Sequence, residues 1–132
     1  MNSVTGSVRV VLRAEGFAVL VASIVLYERL DASWLRFAVL FLAPDLSFAG
    51  YLGGTRLGAY VYNAAHNYVL PIALGLIGIM LGSWRLPELA SIWAAHIGLD
   101  RLLGYGLKYP ASFRETHLGS IGREARHARS IP

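Results

Sequence analysis

Four ionisable residues, Asp45, His66, His96 and Asp100, interrupt a run of sequence that is otherwise almost wholly apolar. A charged side chain at the centre of a bilayer costs roughly 3 kcal/mol on insertion scales, so such residues turn toward a bundle interior or a wet cavity and tend to carry function. Helical spacing adds geometry to this set. His96 and Asp100 fall one turn apart on the same face, as do Tyr62 and His66, with Asn63 beside them. Two imidazoles and two carboxylates suit one divalent ion, Zn²⁺, Mn²⁺ or Fe²⁺, whose bound water can become a nucleophile. The chain has no Cys, which excludes disulfides, thiolate catalysis and sulfur ligands and leaves N and O donors. Asp45, His66, His96 and Asp100 are therefore the candidate metal ligands. Tyr62 or Asn63 would orient a substrate, and Glu15 on the first apolar stretch is a further candidate member of the cluster.

Each of these residues also has a plainer role open to it. His96 and Asp100 can satisfy one another as a buried hydrogen-bonded pair, and Tyr62 and Asn63 can join helices through their polar tips. Asp45 can serve as the N-cap that follows a Pro break, and Glu15 can pair with a basic group near the interface. Tyr105, Lys108 and Tyr109 read as an interfacial belt with a snorkelling cation, and His117 reads as a surface residue. Two function classes follow. In one, a membrane-embedded metal-dependent hydrolase acts on a phosphoester or other lipid-accessible ester. In the other, the same groups form a structural network or a site for an ion, proton or small molecule in a non-enzymatic membrane protein.

The elements that must position these groups are apolar spans. At 55% hydrophobic and 15% charged residues, with a mean hydropathy of +0.50, the chain carries more apolar surface than one soluble core could bury. An all-α, polytopic membrane bundle is expected. Spans of about 20 residues cross about 30 Å of hydrocarbon, so the 132 residues allow about four crossings. The first stretch runs from about Val8 to Tyr27 and reads as an uncleaved transmembrane helix. The second, Trp34 to Leu52, should end or kink at Pro44, because Pro lacks a backbone donor and biases Ala43 away from helical angles. The third, Leu57 to Trp84, is free of Asp, Glu, Lys and Arg and should kink at Pro71. The fourth, Leu86 to about Tyr105, carries Glu88, His96, Asp100 and Arg101, so it must pack among the others. Gly78 and Gly82 offer a small-xxx-small seam for close helix approach.

Lys and Arg set the topology. With four crossings, Arg9, Arg13, Arg56, Lys108, Arg114, Arg123, Arg126 and Arg129 fall on one side, against Arg29, Arg36 and Arg85 on the other. Both termini are thus expected in the cytoplasm. Residues 1–110 form the transmembrane domain and 111–132 a basic tail that is partly disordered. The net charge of +4 acts mainly as a topology signal; the lipid bilayer is the expected partner, nucleic acid is not, and a homo-oligomer stays open.

Several strings also carry a resemblance. LAPDLSFAGYLGG (Leu42 to Gly54), YNAAHNYVLP (Tyr62 to Pro71), AHIGLDRLLGYGLKYP (Ala95 to Pro110) and THLGSIG (Thr116 to Gly122) resemble a family of small bacterial membrane proteins, the domain of unknown function 4260, from about Leu12 to Gly122. The resemblance implies a polytopic protein of the bacterial cytoplasmic membrane and no particular activity. In addition, Pro44-Asp45, His66 and His96 with Asp100 resemble, in the same order, the Pro-Asp-x-Asp, two-His and His-x-x-x-Asp elements of membrane-bound metal-dependent hydrolases. Ser47 stands where that pattern has its second Asp and Tyr62 where it has its first His, so the resemblance implies a reduced, mononuclear site or lost catalysis.

Overall fold

A chain rich in Leu, Ile, Val and Ala between short polar breaks folds as helices joined by tight turns. The computed structural model describes residues 4–121. Helix α1 (Gly6–Arg29) is followed by α2 (Trp34–Leu40), which passes through a turn into a 3-10 helix (Ala43–Gly53). Helices α3 (Thr55–Ala65) and α4 (Val69–Met80) are separated by a break at 66–68, and α5 (Arg85–Leu103) leads to a small lobe with strands β1 (Glu115–Thr116) and β2 (Gly119–Ser120). The architecture is all-α apart from this antiparallel hairpin. Three stretches, Gly6–Arg29, Trp34–Gly53 and Thr55–Met80, are long and apolar enough to cross a membrane.

Helix α5 is the axis of the fold. It packs on α1 along one side and α4 along the other, and its residues Ile92, Ala95, His96, Ile97 and Arg101 are buried. The most polar of the long helices is thus the most enclosed, while α1, α2 and α4 turn Val10, Phe17, Leu35, Val39, Ile72 and Met80 outward. That inversion is what a lipid solvent favours, because apolar side chains lose nothing by facing acyl chains and polar ones lose much.

The seam between α1 and α5 closes on Gly16 and Gly98. A Cβ on Gly98 would stand 2.7 Å from the Gly16 carbonyl oxygen and 2.8 Å from the Leu20 nitrogen, and one on Gly16 would stand 2.4 Å from the Arg101 Cβ. Of the expected Gly78 and Gly82 seam, Gly78 alone approaches another element closely. Gly78 abuts Leu86 and Pro87, whereas Gly82 adopts φ +68° beyond the end of α4. There the Ser83 N–H donates to the Gly78 carbonyl at 2.9 Å and the Gly82 N–H to Ile79 at 3.1 Å. This is the hydrogen-bond pattern that ends a helix on a left-handed residue.

The second span breaks where Pro44 predicts, α2 ending at Leu40 and the 3-10 helix beginning at Ala43 with Pro in its first turn. In the third span the break lies at 66–68, ahead of Pro71 rather than at it. Pro71 occupies the first turn of α4, where a missing N–H leaves no intrahelical bond unmade. The residues after Pro110 also differ from expectation. Within 111–121 the hairpin buries Thr116 and Leu118, and Val4 N–H donates to the His117 carbonyl at 2.9 Å, tying the chain start to the lobe. The part of the expected tail from residue 122 onward, with Arg123, Arg126 and Arg129, lies outside the described residues.

Candidate metal centre

Three separate devices bring four side chains to one point. The first is the 3-10 helix, whose three-residue period stacks side chains at i, i+3 and i+6 on one face. Asp45, Phe48 and Tyr51 share that face: Asp45 enters the cluster, Phe48 packs on Tyr62 with ring centres 5.2 Å apart, and Tyr51 meets Phe113 edge-on at 5.0 Å. The second is the hairpin between the 3-10 helix and α3, kept close by Gly58 lying under the Tyr51 ring and Gly50 under Val61. It carries His66, at the C-cap of α3, back to Asp45. The third is α5, which places His96 and Asp100 one turn apart on the face that meets them. Immediately afterwards α5 ends on Gly104 at φ +92°, with Tyr105 N–H donating to the Asp100 carbonyl at 2.8 Å.

The resulting geometry is tight. His66 Nε2 lies 3.3 Å from Asp45 Oδ1, 3.4 Å from Asp100 Oδ2 and 3.2 Å from His96 Nε2. His96 Nε2 lies 3.2 Å from Asp45 Oδ1 and 3.3 Å from Asp100 Oδ2. Ligand atoms of all four residues fall within 4.8 Å of one another. Both imidazoles are buried, at 1% and 2% exposure, while the aspartates are half-buried.

The second ring nitrogens differ. His66 Nδ1 lies 2.9 Å from the Tyr62 carbonyl oxygen, so Nδ1–H donates, and in the neutral form of the ring the Nε2 lone pair points at the cluster. The Tyr62 ring lies parallel to His66, centre to centre at 3.8 Å, and fixes its plane. His96 Nδ1 is buried without a hydrogen bond among the described residues, and Phe41 meets the ring edge-on at 5.4 Å. Phe41 ends a row of aromatic contacts, Tyr27 to Phe37 to Phe41, that braces α2 against this site. An ion pair between Arg36 and Glu88 ties α2 to the start of α5.

Of the candidates named from sequence, Asp45, His66, His96 and Asp100 converge, and Tyr62 is their stacking partner. Asp45 is not a cap: the residue ahead of the 3-10 helix is Leu42, which makes no side-chain capping bond. Asn63 stands one step away, its Nδ2 donating to the Lys108 carbonyl at 2.8 Å and its Oδ1 accepting from the Lys108 N–H at 2.7 Å. It clamps the lobe to α3 rather than facing the cluster. Glu15 is exposed on α1 and stands apart from the four. His117 is half-buried and accepts from Leu107 N–H through Nδ1 at 2.9 Å, well away from ligation.

Beside the cluster stand two cations that the sequence reading had not placed there. Arg101, 8% exposed, donates to the His66 carbonyl at 2.8 Å and to the Tyr105 carbonyl at 3.2 Å, satisfying an orphan acceptor at the α3 break. Lys108, 4% exposed, is turned inward rather than snorkelling: Nζ donates to the Phe113 carbonyl at 3.0 Å and lies 4.0 Å from the Phe113 ring centre and 4.8 Å from that of Tyr62. Aromatic faces take the place of water around the ammonium. Burial lowers the Lys108 pKa from the ordinary lysine value, and the Asp100 charge opposes that shift. The signal in the sequence was the aromatic residues around Lys108, which served equally well for an interfacial belt.

No curated protein and no solved structure matches the chain. The model for a domain of unknown function, DUF4260, matches residues 9–121. That span holds the whole cluster together with Arg101, Lys108 and the lobe, and the chain belongs to the DUF4260 family.

Proposed function

We propose that this chain is an integral membrane protein whose helical bundle holds one divalent metal ion on His66 Nε2, His96 Nε2 and one oxygen each of Asp45 and Asp100. The observation that carries the reading is the spacing of those atoms. Ligands about 2.0–2.1 Å from a tetrahedral metal are about 3.3–3.4 Å from one another; five of the six ligand-atom pairs, all but Asp45 with Asp100, lie 3.2 to 3.4 Å apart, and the whole set falls within 4.8 Å. The His66 tautomer supports it, since a ligating imidazole commonly donates its other N–H to a carbonyl. Acceptors aimed at a common point repel unless a cation or shared protons lie between them. Four crossings with both termini in the cytoplasm, in a bacterial cytoplasmic membrane, complete the reading; the Lys and Arg split supports the orientation.

A divalent ion at this point would supply Lewis acidity and a bound water of lowered pKa. One observation favours hydrolysis of an ester or phosphoester as the use of that chemistry: Asp45 and Asp100 line a cavity of about 230 Å³ whose other walls include Phe48, Tyr62, Tyr105, Lys108 and Phe113. A reactant could therefore reach the ligand set.

Elemental analysis of detergent-purified protein, prepared without chelator and supplied with Zn²⁺ or Mn²⁺, tests the proposal. About one ion per chain is expected, falling toward zero in His96→Ala and Asp100→Ala, because four donors form a closed or single-opening site. Folded wild-type protein without stoichiometric metal would leave the cluster as a protonated structural network.

A further inference from the structure

We infer that the cavity between the Asp45 and Asp100 carboxylates and Lys108 binds a phosphoryl dianion, one end toward the metal and the other toward the Lys108 ammonium. The inference rests on the metal reading and adds the class of ligand. Its first ground is charge. Asp45 and Asp100 carry two negative charges, Arg101 and Lys108 two positive ones, and the imidazoles are neutral as ligands. In the metal-bound state these formal charges cancel among themselves, so the divalent ion leaves an excess of two that a phosphate monoester dianion matches better than a carboxylate does.

The second ground is the way Lys108 is built into the wall. Both backbone polar groups of Lys108 are fixed by Asn63, and Nζ spends one of its N–H groups on the Phe113 carbonyl. An ammonium has three N–H donors; beyond the one on Phe113 the others meet only aromatic faces, which a dianion in the cavity that Lys108 lines would outcompete. A lysine needed only for topology would extend into water. The third ground is size and position. At about 230 Å³ the cavity is smaller than the sites of about 300–1,000 Å³ that take drug-sized ligands, and suits a headgroup. Asp100 lies three residues before the end of α5, about 4.5 Å along its axis. The rim residues Phe48, Tyr105 and Phe113 are exposed aromatics of the kind that sit at headgroup level.

Calorimetric titration of detergent-solubilised protein, loaded with one Mn²⁺ and freed of excess metal, tests the inference with two probes, inorganic phosphate and a short-chain phosphatidic acid. One binding event per chain is expected. Tighter binding of the lipid assigns the ligand to the membrane, and equal binding assigns it to the aqueous phase. Lys108→Met should keep its metal and bind either probe at least about tenfold more weakly, the equivalent of one charge-assisted hydrogen bond, while Lys108→Arg stays close to wild type. Should Lys108→Met fail to fold, Tyr105→Trp at the exposed rim should keep metal and weaken both probes by obstruction. Metal-loaded wild type that binds neither probe, or metal-loaded Lys108→Met (or, in its place, Tyr105→Trp) that binds as wild type does, overturns this inference alone. Wild type that takes up no metal overturns the metal reading and this inference with it.

Discussion

His66 uses both ring nitrogens, one to read the backbone of its own helix and one to face Asp45, His96 and Asp100. Its position at the C-cap of α3 leaves its carbonyl without a helical partner, and Arg101 meets that carbonyl at 2.8 Å. Arg101 is thus a positioning residue for the α3 break. Arg101→Gln should cost about 1–3 kcal/mol, the usual penalty for leaving buried acceptors poorly satisfied, read as a lowered unfolding temperature in detergent. Metal content should change far less than in His96→Ala. The four cluster residues were legible in the sequence because each is a polar group that lipid would reject. Lys108 was not, because a cation just beyond an apolar span has an ordinary explanation in topology and snorkelling, and Arg101 was legible only as a polar residue that needed protein around it. What separates the two cases is the lobe that folds over them, and no local pattern announces it.

Among the elements, the seam between α1 and α5 has the least room. Gly98→Ala should destabilise the fold by about 1–3 kcal/mol through overpacking, since the added methyl meets backbone atoms at 2.7 and 2.8 Å that cannot yield as a side chain tip would. Gly54→Ala makes a poor control because of its own positive φ; Ala64→Ser, at an exposed site on α3, is the better one. Thermal unfolding monitored by circular dichroism separates them. The lobe has its own sensitivity. Burial, with the Arg101 charge second, lowers the His117 pKa below the ordinary 6.5. The unfolded state then binds a proton first as pH falls, so lobe stability is present above about 6.5 and declines below it. Protonation also removes the Nδ1 acceptor that Leu107 N–H uses. Limited proteolysis should cut within 105–121 faster at pH 5.5 than at pH 7.5, and His117→Asn should flatten the difference. The all-α class and the Pro44 break followed from hydropathy and Pro chemistry. The 66–68 break falls one turn ahead of Pro71, which cannot donate to the Asn67 carbonyl, and His66 there finds partners on α5 for its side chain and carbonyl.

At the scale of the whole molecule, an apolar exterior surrounds a helix whose inner face is polar. Reporter fusions at the two termini should both be active on the cytoplasmic side; opposite sides would require an odd number of crossings and remove the orientation drawn from Lys and Arg. The central claim, though, is the metal. X-ray absorption at the edge of the bound ion, on metal-loaded protein, tests it most directly. For Zn²⁺ the expected first shell is N and O at about 2.0–2.2 Å without sulfur, with outer-shell scattering from two imidazoles that falls to one in His96→Ala. A bound ion with no imidazole scattering, or folded protein that binds no ion at all, would contradict the account.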